Sequence, residues 1–326
     1  MSHQHHSLNI LVIKIFNIEG IMKIIIILLS ILTITYAYNG SITGLTYFDL
    51  ARENGESSFN FNRQYFNYAI QMSNAVNFKV VFDVGRTNKV TDDLGVNVED
   101  TRLVVFLKKA QLDYNCDWGT TNLGLIGTNS YGVQEKNWGY RFIEKSAIDK
   151  NGFSSTADLG IGFSREIKDN LIFSIQLVNG ESYKSPESDG YQKWSINTTY
   201  GERKLAMNDG YNLGFVYTSE ATAGKSNTMS SLFGGFECNG LRVGAEIDNL
   251  TGETEKKLIS INANYGFNNK LDAFTRYDIL TVNGQDTKYL ISGIVYNSGS
   301  GILISPNIRK SKGDNLVYKL NFHFRF

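Results

Sequence analysis

The sequence predicts an all-β fold: a transmembrane antiparallel β-barrel of about sixteen strands with one long loop folded inward. Three observations predict it. The first is the stretch Leu316 to Phe326, where Leu316, Tyr318, Leu320, Phe322, Phe324 and Phe326 fall on alternate positions and Lys319, Asn321, His323 and Arg325 lie between them. Successive side chains of a strand point to opposite faces, so one face is apolar and the other largely polar, which suits a wall between lipid and water. As the edge of a soluble sandwich, the same three phenylalanines would invite aggregation. The second observation is that segments of this kind recur from Ile42 onward, joined by connections that are by turns short and long. The third is composition: 18 Tyr, 20 Phe and 31 Gly against 2 Pro, with a mean hydropathy of -0.22. That value is too low for a helical membrane protein and ordinary for a barrel in which alternate residues meet lipid.

At the front, Met22-Lys23 offers a basic start, Ile24 to Leu32 is apolar apart from Ser30, and Thr35-Tyr36-Ala37 supplies the small residues of a cleavage site. Residues 22–37 therefore read as a secretory signal peptide, too short to span a bilayer as a helix; an uncleaved anchor is the rival. Residues 1–21 hold nothing such a peptide needs and read as a non-native or mis-called extension, leaving 38–326 as the barrel. The 32 Lys and Arg balance 32 Asp and Glu, so no basic excess points to nucleic acid. Cys116 and Cys238 fall at turns far apart around the barrel and are expected to be free.

The strands follow in order. Ile42 to Ala51 and Asn62 to Ser73 come first, then a turn at Asn74-Ala75 and Phe78 to Arg86, with Phe78, Val80, Phe82 and Val84 on one face. A polar stretch to Arg102 precedes Leu103 to Tyr114, a tight turn at Asn115 to Gly119, and Asn122 to Gly127. The longest interruption, Thr128 to Phe153, comes next. Ala157 to Phe163 and Leu171 to Leu177 flank Lys168-Asp169-Asn170; Trp194 to Tyr200, Tyr211 to Tyr217 and Thr228 to Cys238 follow. Asn239-Gly240 is a strong hairpin signal, leading into Leu241 to Ile247. Ile259 to Tyr265, Leu271 to Ile279 and Tyr289 to Val295 repeat the scheme. Ile302 to Lys310 contains Pro306, which cannot donate a ladder hydrogen bond and should require a bulge. Short turns and long loops are expected to alternate strictly, with turns toward the periplasm. No fixed repeat of about 40 residues marks a propeller.

A barrel of this size is wide enough for an aqueous channel. Its inward face, rich in Gly, Ser, Asn and ions, should be unable to pack as a core, so water should fill it. The wall residues expected to face the lumen are Arg63, Asp83, Lys109, Asp113, Asp158, Arg242, Glu246, Asp272 and Arg276. The blander reading of each is a solvated charge that only keeps the lumen wet. The long interruption carries Trp138, Tyr140 and Phe142, which need burial, so the loop should fold inward. The rival is a surface loop whose Trp and Tyr sit among headgroups. Folded inward, Arg141, Glu144 and Lys145, with Glu135 and Lys136 before them, would set a field across the narrowest point.

The final strand, with Tyr318, Phe322, Phe324 and a terminal Phe326, resembles the C-terminal signature of bacterial outer-membrane β-barrels. That resemblance implies insertion into outer-membrane lipid and recognition of those four residues by the barrel-assembly machinery. The position of the long loop after the fifth strand is similar to that of the constriction loop of general porins. Val80-Val81-Phe82-Asp83-Val84-Gly85-Arg86 and Trp138-Gly139-Tyr140-Arg141-Phe142 resemble the phosphate-selective porins of the O and P type. The resemblance implies a homotrimer passing small solutes by passive diffusion, with ion transport that extends to anions such as phosphate. The family lines its pore with Arg and Lys; here no dense basic ladder is evident, so its anion-binding residues are not carried over.

An enzyme is poorly served. Of 4 His, only His323 lies in the barrel, beside Phe322 and Phe324 of the lipid face, and no G-x-S-x-G elbow occurs. One His and two separated Cys make a metal site unexpected, and no cofactor is implied. The alternative to a channel is a structural or adhesive outer-membrane barrel without transport.

Overall fold

The structure is a computed structural model that describes residues 40–86, 90–91, 97–98, 102–311 and 313–326. The expected signal peptide and the segment before it lie outside the described residues. Sixteen antiparallel strands form a closed barrel. They are β1 Gly40–Glu53, β2 Glu56–Gln71, β3 Val76–Arg86, β4 Leu103–Cys116, β5 Gly119–Gly127, β6 Ala157–Lys168, β7 Leu171–Val178 and β8 Lys193–Gly201. The second half comprises β9 Gly210–Glu220, β10 Asn227–Cys238, β11 Leu241–Thr251, β12 Lys256–Asn268, β13 Leu271–Val282, β14 Gln285–Gly299, β15 Ile302–Ser311 and β16 Val317–Arg325. A small ribbon pairing Val90–Thr91 with Asn97–Val98 lies in the connection after β3, outside the barrel sheet.

Closure comes from β1 pairing with β16, in register from Leu45–Arg325 to Arg52–Tyr318. Outside this seam Phe48 stacks on Phe322, with ring centroids 4.6 Å apart. Inside it, Lys319 reaches Asp49 at 3.0 Å. The alternation read from the last strand thus separates the two faces. His323 turns inward, with its ring 5.2 Å from that of Tyr47.

The outer surface carries a belt of exposed apolar residues such as Leu213, Leu232, Ile247 and Ile261. Outward aromatic pairs gather near the strand ends. Trp118 with Phe163, Tyr200 with Tyr211, and Tyr265 with Phe267 mark one rim, while Trp194 with Tyr217 marks the other. An apolar band edged by aromatic girdles is the surface a bilayer requires of a barrel.

Two expectations about the strands need correction. Connections do not strictly alternate short and long. Asn54-Gly55 and Asn283-Gly284 are two-residue turns on the rim of the longer loops, while the connection 202–209 is long on the other. In Asn54-Gly55, Asn239-Gly240 and Asn283-Gly284 both residues have positive φ, the pairing that a tight hairpin turn needs. The Asn-Gly signal therefore applied at all three sites, and it lengthens β2 back to Glu56.

The second correction concerns Pro306, which needs no bulge. It pairs with Leu320 on one side, and the β14–β15 register is unchanged across the site, from Gly293–Asn307 to Tyr296–Ile304. The Ser305 hydroxyl donates to the Ile294 carbonyl at 2.7 Å, replacing the donor that proline lacks. The bulge of this strand pair lies further on, between Asn297 and Gly299. Ser305→Ala is expected to leave that carbonyl unpaired and to destabilise the barrel by about 1–3 kcal/mol, read as a lower urea midpoint for the protein folded in lipid vesicles.

Candidate functional site

The connection Thr128–Thr156 does fold inward. Helix α1, Gly132–Trp138, ends on Gly139, whose φ of 80° lets its amide donate a hydrogen bond to the Glu135 carbonyl at 2.9 Å. Helix α2, Ala147–Lys150, follows after an irregular stretch. Two apolar seats receive the loop. Trp138, Tyr140, Phe142 and Ile143 pack on Tyr47, Phe274, Ile291 and Val295. Val133, Ala147, Ile148 and Phe153 pack on Val216, Met229, Phe233 and Leu258. The lumen is thus not wet throughout: the inward faces of β9 to β14 supply a dry core, contrary to the expectation from their polar residues. Gly235 and Gly244, paired across β10 and β11, leave room for α1; a side chain on either would press on Asn137.

Irregular backbone within a barrel needs donors for its carbonyls. Arg276 donates to Lys145 O at 2.6 Å, Arg309 to Ile143 O at 2.6 Å, Arg242 to Trp138 O at 3.3 Å and Asn321 to Phe142 O at 3.3 Å. Arg242 and Arg276, expected as lumen charges, are therefore anchors, both nearly inaccessible to solvent. Glu246 is buried beside the loop, at the Ile148 amide. Asp272 accepts from Tyr140 Oη at 2.9 Å. Asp158, also buried, holds the amides of Gly180 and Ser182 at 3.0 and 3.2 Å, bracing the loop after β7. Asp113 is tied to Gln111 and Asn122 along the wall.

The opposite side of the lumen keeps two cavities. One, of about 240 Å³, is lined by Asp49, Arg63, Glu144, Lys145, Arg309 and Lys319 among others. The other, of about 280 Å³, is lined by Tyr65, Lys79, Lys108, Lys109 and Glu135. Tyr47 and Arg141 border both, so they stand between them. Of the expected residues, Arg63, Lys109, Glu135, Arg141, Glu144 and Lys145 line these cavities. Asp83 lies behind, fully buried, bound to Arg63 and to Tyr183 Oη at 2.7 Å. Lys136 borders neither cavity; it lies among the charges of Glu202, Arg203 and Lys204.

The expected field across the loop is locally neutralised. Arg141 pairs with Glu135 at 2.9 Å and Asp149 at 3.3 Å, and Glu144 with Arg309 at 3.0 Å and Lys150 at 3.7 Å. Burial alone would raise the Glu144 carboxyl, but Lys150, Arg309 and Arg276 outweigh it and hold Glu144 below the usual carboxylate range. Burial pushes the Lys150 ammonium down to about 8, against the pull of Glu144.

Sequence reasoning missed Lys79 and Lys108 as a group with Lys109. A bulge explains why: Val81 faces Lys109 and Phe82 faces Leu107, so Lys108 is the extra residue. The bulge turns Lys108 inward along with Lys109. Its signal is a slip in phase, since Leu103, Val105 and Leu107 are exposed outside, whereas beyond the lysines the exposed residue is Tyr114. A second bulge at Asn62 likewise brings Asn62 and Arg63 to the same face, Asn62 to Asp49 at 2.7 Å and Arg63 to Asp83.

No protein-family model matches this sequence, and no curated protein matches it. Solved structures do. Salmonella typhi OmpF, solved with daunomycin, aligns with a TM-score of 0.65 at 12% identity over 89% of this chain and 98% of its own. A loop-deletion mutant of OmpT, an outer membrane protein of Vibrio cholerae, aligns with a TM-score of 0.63 at 12% identity, covering 89% of this chain and all of its own. A mutant of the Rh. blastica porin gives 0.59 at 14% identity, over 88% and 100%. The fold is that of the outer-membrane porins.

Two outcomes follow for the loop. Gly235→Leu is expected to force α1 from its seat at an overpacking cost of about 1–3 kcal/mol, raising single-channel conductance and the liposome-swelling rate for larger sugars. As pH rises from 7 to 9, Lys150 loses its proton while Glu144 stays charged, so any preference for anions should fall. Lys150→Met should flatten that step in reversal-potential measurements.

Proposed function

We propose that the chain is a porin of the bacterial outer membrane, a water-filled channel for passive diffusion of small hydrophilic solutes and ions. The observation that carries the reading is the divided lumen: the loop occupies one side of a closed barrel and leaves charged cavities on the other. The outer apolar belt suits lipid, and the final strand suits recognition by the assembly machinery through Tyr318, Phe322, Phe324 and Phe326. Residues 22–37 serve as the signal peptide. OmpT, an outer membrane protein of Vibrio cholerae, has been solved in a trimer form, which supports a homotrimer here.

Anions, phosphate among them, are the favoured ions. Around the larger cavity Lys79, Lys108, Lys109 and Arg141 face the single carboxylate Glu135, and cations also outnumber carboxylates around the smaller one. A catalytic reading gains nothing from His323, whose ring nitrogens have no hydrogen-bond partner and whose ring packs against those of Tyr47 and Phe142.

Planar-bilayer recording of the purified protein is the test. Ohmic steps are expected, with a reversal potential on the anion side in a KCl gradient, and Lys79→Glu with Lys109→Glu should move it toward cations. Absence of ohmic current would leave the structural or adhesive barrel.

A further inference from the structure

The larger cavity has the make-up of a binding site as well as of a passage. Lys79, Lys108 and Lys109 converge on it, and among the described residues none of the three forms an ion pair. Glu135, the one carboxylate in its lining, is occupied by Arg141 at 2.9 Å. Lys108 Nζ is held by Tyr65 Oη at 2.9 Å and lies 4.5 Å from the centre of that ring, so the ammonium is positioned. Lys109 fills the space beside Gly127, where any side chain would collide with its Nζ. Asp113, the single acid of β4, is turned to Gln111 and Asn122.

The remainder of the lining is not ionic. Leu45, Val81 and the rings of Tyr47, Tyr65 and Tyr131 form an apolar and aromatic surface next to the lysines. A small inorganic anion would satisfy the charges and leave that surface in water. A ligand with a carbon skeleton covers both, with polar groups fixing orientation and apolar contact adding affinity. Three separate ammonium groups, each a point charge, suit more than one oxyanion group. The cavity volume of about 280 Å³ fits a compact metabolite-sized molecule.

We propose that this cavity is a saturable site for a small organic polyanion, a compact carbon skeleton bearing two or more negative charges on carboxylate or phosphate groups. The proposal rests on the channel reading only for its transport role; binding itself needs the barrel alone. Such a site concentrates the solute in the lumen and must release it again, so its affinity is modest.

The test titrates the KCl conductance of the full barrel in planar bilayers with citrate, glucose 6-phosphate, inorganic phosphate and glucose. Citrate or glucose 6-phosphate should interrupt the current at concentrations about tenfold below inorganic phosphate, and glucose should not interrupt it. Block by citrate alone assigns polycarboxylates, and block by the sugar phosphate alone assigns phosphate esters. Lys79→Gln/Lys108→Gln/Lys109→Gln should abolish the block while open-channel current persists. Lys79→Gln alone, at an exposed position where folding is unaffected, should weaken it severalfold. Equal block by inorganic phosphate, block retained in the triple variant, or full conductance without block would each overturn the site and leave the channel. If no current is seen at all, the channel reading fails, and calorimetry of the detergent-solubilised barrel with citrate decides the site. Heat of binding that Lys79→Gln reduces supports it, and no heat overturns it.

Discussion

A backbone in hydrocarbon can leave no amide unpaired, and the closing ladder between β1 and β16 answers that constraint. With the ladder closed, every strand has two neighbours and the sheet has no edge. The alternation of side chains then sorts itself into an apolar exterior and a polar interior. The same demand governs details. Ser305 supplies the hydrogen bond that Pro306 cannot, and the irregular stretch of the inward loop borrows donors from Arg242, Arg276, Arg309 and Asn321.

The interior is asymmetric because the loop needs a dry seat. Apolar residues at inward positions, such as Val216, Phe233, Phe274 and Ile291, provide it, and charges there, Arg242, Asp272 and Arg276 among them, anchor the loop. Most of the wall charges expected to face water therefore hold the loop or brace neighbouring connections. Charge on the open side comes from β1 to β4, from the last two strands and from Glu135, Arg141, Glu144 and Lys145 of the loop.

Bulges decide which charges reach that side. A strand in strict alternation brings one residue in two to the lumen, whereas the extra residues Lys108 and Asn62 each put two consecutive polar side chains there. In both cases the exposed apolar positions change phase across the bulge. The result is a concentration of ammonium groups that a count of net charge, balanced over the whole chain, conceals.

The alternation of apolar and polar residues was enough, read alone, to determine the barrel, its approximate strand number and the lipid-facing surface, because those depend on local period and on the demand that lipid makes of every strand. The aromatic residues of the long loop favoured an inward fold over a surface loop. The roles of individual charges were not legible, since Arg276 and Lys109 stand on equivalent faces of their strands and differ only in what lies opposite. One is covered by a loop carbonyl; the other opens on a cavity. That difference arises from contacts between residues more than 130 positions apart in the case of Arg276, and only the folded chain brings them together.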